Sequence, residues 1–202
     1  MKKLIAGVLL VMGVAGMAYA EGGDPAAGEK NAAVCAGCHG QGGASPVQPS
    51  YPKLAGQGEK YLYKQLQDIK SGARKVVPMT GLLNNMSEQD LHDLAAYFAE
   101  KDMPIGQADP DLVKKGEALY KGGNLASNVT ACAGCHSPDG SGNEPAAFPR
   151  LGGQNAEYVA AQLKAFMAGE RNNDPAAMMR NVASRLTDAE IKAVASYVSG
   201  LH

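Results

Sequence analysis

Tryptophan is absent from this 202-residue chain, and basic residues neither form a stripe nor outnumber the acidic ones, with 19 Lys and Arg against 20 Asp and Glu. Nucleic-acid recognition needs a basic footprint, so it has no support here. No stretch alternates apolar and polar residues as a strand would, and no βαβ pattern is visible. The fold class read from the sequence is therefore all-α. Cysteine is also scarce. The chain has four, and all of them fall in two copies of one pentapeptide, Cys-Ala-Gly-Cys-His.

Cys35, Cys38 and His39 form the first copy; Cys132, Cys135 and His136 form the second. Cys-x-x-Cys-His is the attachment site of a c-type haem. Its two thiols add across the porphyrin vinyl groups. On a short helical stretch both sulfurs fall on one side of the backbone, and the histidine reaches the iron. Two copies that use every cysteine imply two covalently bound haem c groups. A zinc site would need its four ligands close together, yet Cys38 and Cys132 lie 94 residues apart. A thioredoxin-like pair would occur once, beside a βαβ unit. Two disulfides would leave the repeated histidine unexplained.

Lys2 and Lys3 precede an apolar run from Leu4 to Ala20 that ends Met-Ala-Tyr-Ala. This reads as a secretory signal peptide over residues 1–20, cut after Ala20. An uncleaved anchor is the rival, but the run is short for a span of about 20 residues. Export fits the cofactor, since the resemblance to c-type haem sites implies attachment to the thiols outside the bacterial cytoplasm. The remaining 182 residues suit two small domains better than one large one. Domains this small rarely hold together on side chains alone, and a buried haem gives each an apolar core.

Self-comparison shows an internal duplication. At an offset of 97, both haem motifs align. So do Pro52-Lys-Leu-Ala-Gly-Gln57 with Pro149-Arg-Leu-Gly-Gly-Gln154, and Tyr61, Gln65, Leu66 and Gly72 with Tyr158, Gln162, Leu163 and Gly169. After a three-residue insertion the offset becomes 100, and Met79 meets Met179, Leu91 meets Ile191 and Tyr97 meets Tyr197. The join falls near Met103 to Pro110, where Pro104, Gly106 and Pro110 break any helix. The expected domains are 21–105 and 106–202. Gly58 to Ser71 has helical periodicity. Ser87 to Asp90 and Thr187 to Glu190 resemble capping boxes, opening helices that bury Leu91, Leu94, Ala95 and Phe98, and Ile191, Val194 and Val198. The stretches 40–52 and 137–149 read as loops.

An electron shuttle needs two axial ligands on each iron, and a methionine sulfur is the commonest partner for the motif histidine in small c-type cytochromes. The duplication selects among six methionines beyond the signal. Met79 and Met179 occupy matching positions, whereas Met86, Met103, Met167 and Met178 do not. The expected axial ligands are His39 with Met79 and His136 with Met179. His92 reads as a surface position, since Lys192 matches it, and His202 is terminal. Pro52 and Pro149 each follow their motif histidine by 13 residues. Their carbonyls are the candidates to accept the second ring N–H and fix the tautomer.

Taken together and in order, several segments resemble the cytochrome c4 family over essentially the whole mature chain. They are Val34-Cys-Ala-Gly-Cys-His39, Pro52-Lys-Leu-Ala-Gly-Gln-Gly58, Tyr61-Leu-Tyr-Lys-Gln-Leu-Gln-Asp-Ile-Lys70, Met79-Thr-Gly, Phe148-Pro-Arg-Leu-Gly-Gly-Gln154 and Tyr197-Val-Ser-Gly-Leu-His202. The resemblance implies two tandem cytochrome c folds related by a pseudo-two-fold axis, with the haem propionates approaching at the domain interface. The family's axial methionines fall on Met79 and Met179. The implied function is a periplasmic electron carrier, passing electrons from redox-protein donors towards a terminal oxidase of a bacterial respiratory chain. Contact with the inner membrane would come through those partners. Two alternatives stand beside it. One is a di-haem enzyme, a peroxidase or a sulfur-compound dehydrogenase, with one open iron. The other is a subunit docked permanently on an oxidoreductase. The two halves are close to neutral, so charge does not single out a docking face. Ala44-Ser-Pro-Val-Gln48 faces Ser141-Gly-Asn-Glu-Pro145 in the repeat, so the two haems are expected to differ in potential.

Overall fold

The computed structural model describes residues 22–202; the expected signal peptide lies outside them. The chain forms α1 (Pro25–Asn31), α2 (Ala33–His39), α3 (Glu59–Ser71) and α4 (Glu88–Ala99), then α5 (Pro110–Gly122), α6 (Ala133–His136), α7 (Ala156–Met167), α8 (Met178–Ala183) and α9 (Asp188–Ser199). Among the described residues there is no strand, only the single bridges Asn124 with Val129 and Asn143 with Phe148. The architecture is all-α, in two tandem halves.

The last helix of each half starts on a complete capping box. Asp90 N–H donates to Ser87 Oγ at 3.1 Å, and Ser87 N–H donates to the Asp90 carboxylate at 2.8 Å. Thr187 and Glu190 repeat the arrangement at 3.2 and 2.8 Å. Two orphan donors at the helix start are thereby satisfied. The inward faces are those the periodicity named. Leu91, Leu94, Ala95 and Phe98 are buried in α4, and Ile191, Val194 and Val198 in α9. Each half has its own apolar cluster. One joins Leu62, Leu94, Tyr97 and Phe98; the other joins Tyr120, Val159, Ile191, Val194 and Val198.

The helices α1 and α5 were not expected. Each opens on an Asp N-cap followed by proline, Asp24-Pro25 and Asp109-Pro110, a start that suits the fixed φ of proline. Both cross the last helix of their own half at a glycine. A Cβ on Gly28 would lie 2.0 Å from the Asp93 carbonyl oxygen, and one on Gly116 would lie 2.4 Å from that of Ala193. Any side chain there would force the helices apart.

The join between the halves carries no helix, as its Pro and Gly content predicts, but it is strapped down. Met103 is buried between Gly56 and Gly153. A Cβ on either glycine would come within 3.3 Å of the Met103 side chain. Gly106 N–H donates to the Ser199 carbonyl at 2.8 Å, and Asp109 N–H to Ser196 Oγ at 2.8 Å.

The halves meet through reciprocal contacts. Lys53 N–H donates to Gln154 Oε1 and Gln154 Nε2 donates back to the Lys53 carbonyl, both at 2.9 Å. At the matching positions, Arg150 N–H donates to Gln57 Oε1 at 2.7 Å and Gln57 Nε2 donates to the Arg150 carbonyl at 3.0 Å. A contact in which i meets j and j meets i is the signature of a two-fold relation.

Candidate haem sites

Each site is built on one helical turn. The first Cys-x-x-Cys-His segment ends α2; in the second, Cys132 is the N-cap of α6 and the other four residues form it. The i, i+3 spacing sets the two sulfurs of each pair on neighbouring positions of one helix face. All four thiols are unpaired; Cys35 and Cys132 are partly buried, Cys38 and Cys135 exposed. Burial, with the neighbouring thiol adding to it, pushes the Cys35 thiol up to about 11; burial pushes Cys132 up to about 11 as well. As free thiols the inner cysteines are therefore protonated at neutral pH, and poor nucleophiles until a base acts on them.

The two histidines are buried alike, and each ring is fixed alike. His39 Nδ1 lies 2.9 Å from the Pro52 carbonyl oxygen and His136 Nδ1 lies 2.9 Å from that of Pro149. A carbonyl only accepts, so each Nδ1 carries its proton and donates it, leaving the Nε2 lone pair free for a metal. Burial lowers both imidazoles below their ordinary pKa, with the proline contact opposing it. The neutral, ligand-competent ring is thereby favoured.

The candidate methionines sit at matching positions with different backbones. Met79 closes a 3-10 turn, Val77–Met79, whereas Met179 lies in the first turn of α8. The three-residue insertion of the second half falls between Gly169 and Met179. Ala176 and Ala177 there take up left-handed φ values of 50° and 56°, while the matching Val76 is extended. Among the other methionines, Met86 packs on the first apolar cluster, Met103 is buried in the join, and Met167 and Met178 are exposed. His92 is not simply a surface residue, for its ring stacks on Tyr63 at 3.5 Å between centroids.

What the sequence reading missed is the seam. Arg74 Nη1 donates to Gln65 at 2.9 Å within its own half, and Nη2 donates to Tyr158 and Gln162 of the other half, both at 3.0 Å. Arg171 mirrors it, with Nη1 to Gln162 at 2.8 Å and Nη2 to Tyr61 and Gln65 at 3.1 and 3.0 Å. Burial raises the Tyr61 hydroxyl pKa, but the Arg171 and Arg74 guanidiniums outweigh it and hold the group below its ordinary value. The signal for these residues lay in the self-comparison, where Tyr61, Gln65, Tyr158 and Gln162 match without being ligands.

The geometry defines a class: two tandem helical units, each presenting paired thiols and a metal-ready histidine, which is the apparatus of a c-type cytochrome. Comparison with known proteins agrees. The family described as cytochrome c matches residues 25–100 and again 113–202. The cytochrome c4 of Pseudomonas aeruginosa is 54% identical over 203 residues, covering the whole of both chains. A crystal structure of reduced recombinant cytochrome c4 from Pseudomonas stutzeri superposes with a TM-score of 0.87 at 51% identity, covering 89% of this chain and all of that one. A thiosulfate dehydrogenase electron acceptor of Thiomonas intermedia is 36% identical, over 95% of this chain and 89% of its own. This chain belongs to the cytochrome c4 family, electron carriers of the cytochrome c fold with covalently bound haem c.

Proposed function

We propose that the chain is a di-haem electron carrier of a bacterial respiratory chain, passing electrons towards a terminal oxidase. Haem c, when bound, supplies a one-electron ferric/ferrous couple. Cys35 and Cys38 would hold one group and Cys132 and Cys135 the other. His39 with Met79, and His136 with Met179, would be the axial ligands. Pro52 and Pro149 orient the two imidazoles, so neither ring has to turn when the charge on its metal changes. With a histidine and a methionine to hold each iron, neither half would leave a position for a substrate, and the chain would act as a carrier rather than an enzyme. Its place is the periplasm, reached by the signal over residues 1–20, with contact to the inner membrane through its partners.

The observation that supports this most is the duplication of the whole ligand frame: the same histidine–proline contact at 2.9 Å in both halves, with a methionine at matching positions of both. An enzyme with one open iron would have departed from that symmetry. The likeness to a thiosulfate dehydrogenase electron acceptor favours a second reading of the donor, in which electrons enter from a sulfur-compound dehydrogenase.

Absorption spectra of the purified ferric and ferrous protein test the carrier reading. The expected result is a low-spin spectrum with the iron–methionine charge-transfer band and no response to carbon monoxide. Met79→Ala and Met179→Ala should each remove about half of that band, since each deletes one of two like ligands. Carbon monoxide binding by one haem per chain would replace the carrier with a catalyst.

A further inference from the structure

We propose that Arg74 and Arg171 are positioning residues for electron exchange between the two halves, acting as a reciprocal clamp that fixes one haem site relative to the other. The inference rests on the di-haem reading above.

Among the described residues, neither apolar cluster crosses the seam; each belongs to one half. Inter-domain contacts that are polar leave relative motion as the default, so geometry here depends on hydrogen bonds. The two guanidiniums supply the most directional of them. Each grips a glutamine of its own half and a tyrosine and a glutamine of the other. Gln65 Oε1 accepts from both arginines at 2.9 and 3.0 Å, and Gln162 Oε1 does so at 3.0 and 2.8 Å. The helices α3 and α7 are thus cross-linked twice about the pseudo-two-fold. A planar fork sets angle as well as distance, which a lysine cannot do. The side chains that accept from Arg74, namely Gln65, Tyr158 and Gln162, are neutral, so these particular bonds orient the two halves and pair no charge. Transfer between two centres is sensitive to displacement on the ångström scale, so the residues that fix the seam govern the exchange.

The test uses the double variants Arg74→Gln/Arg171→Gln and Arg74→Lys/Arg171→Lys of the haem-loaded full chain. Two readouts are taken: the rate of electron equilibration between the haems after rapid one-electron reduction, and the number of unfolding transitions in calorimetry. Both variants are expected to keep the iron–methionine band, to equilibrate at least ~10-fold more slowly, and to unfold in two steps where the parent unfolds in one. Equilibration unchanged in the glutamine variant would overturn the proposal and assign the geometry to the join and the Lys53–Gln154 frame. Full recovery in the lysine variant would overturn it as well, since charge and not the fork would then be the agent. The number of unfolding steps can be read without assigning the ligands of either iron. If the carrier reading fails in the carbon monoxide experiment, the split in unfolding still reports on the clamp.

Discussion

Ala176 and Ala177 carry the backbone conformation that side chains tolerate least, two left-handed residues in succession. They sit two and three residues before Met179, where the second half absorbs its insertion. A left-handed L-residue costs about 1–2 kcal/mol, against the ~0.5–1 kcal/mol that the extra freedom of glycine costs on folding. The strain outweighs the freedom. Ala177→Gly should therefore stabilise the second half by about 0.5–1 kcal/mol, read by chemical unfolding of the holo-protein. A loss of stability would mean that the alanine methyl packs to better effect than its backbone suffers. The insertion was legible in the sequence as a change of offset from 97 to 100. Its conformation was not, because alanine carries no turn signal and periodicity says nothing of the sign of φ.

Among the helices, α4 and α9 were the most legible and α1 and α5 the least. A capping box is a local event, with both partners three residues apart, so a single sequence contains the whole of it. These helices hid in the self-comparison because nine extra residues of the second half, around the Asn124–Val129 turn, shift the offset of Gly28 and Gly116 to 88, and their Asp-Pro starts are 85 apart. Gly28 and Gly116 then lose their common register although they do the same work at the two crossings. Gly28→Ala should separate α1 from α4 and destabilise the first half by more than about 1 kcal/mol, because the close neighbour is backbone and cannot move aside. A melting temperature unchanged from the parent would show that the crossing can open without loss.

The caps themselves set an acid limit. Hydrogen bonds from Ser87, side chain and backbone, hold the Asp90 carboxyl below its ordinary pKa, and the Thr187 backbone N–H, with Asn124 and the Thr187 hydroxyl, does so for Glu190. The unfolded chain then binds more protons than the folded one. The stabilisation is complete above the ordinary carboxylate range, near pH 4 to 5, and is lost as pH falls through the lowered values. Melting temperature should accordingly be flat from about pH 7 to 5 and fall below about pH 4, with Thr187→Ala lowering stability by ~1 kcal/mol at neutral pH. A decline beginning near pH 6 would point to the buried imidazoles instead.

At the scale of the whole molecule, the symmetry is close but not complete. Glu144 of the second half accepts the Lys60 N–H at 2.8 Å, placing a carboxylate at the first turn of α3 across the seam. The matching residue is Val47, which cannot return the contact to α7. Glu144→Ala should cost about 0.5–1 kcal/mol of stability and leave the iron–methionine band of both haems intact. Loss of one band would mean that this contact supports a ligand loop rather than a helix end. The seam explains why so much of it was present in the sequence and yet unread. Gln57, Tyr61 and Gln65 recur in the second half because each copy supplies one side of a shared surface. A repeat reveals that a position is constrained, while the partner that constrains it lies about 90 to 110 residues away, beyond any periodic signal.

That shared surface is self-complementary, the kind by which two identical subunits pair. Here both faces are carried on one polypeptide and joined by roughly ten residues, so their encounter is unimolecular and their effective concentration is set by the tether rather than by expression level. Two separate copies of the half-length unit would come apart on dilution and take their electronic partnership with them. The fused pair has no dissociation constant to satisfy, and a single molecule in a sparsely filled compartment is as fully assembled as one in a crowd.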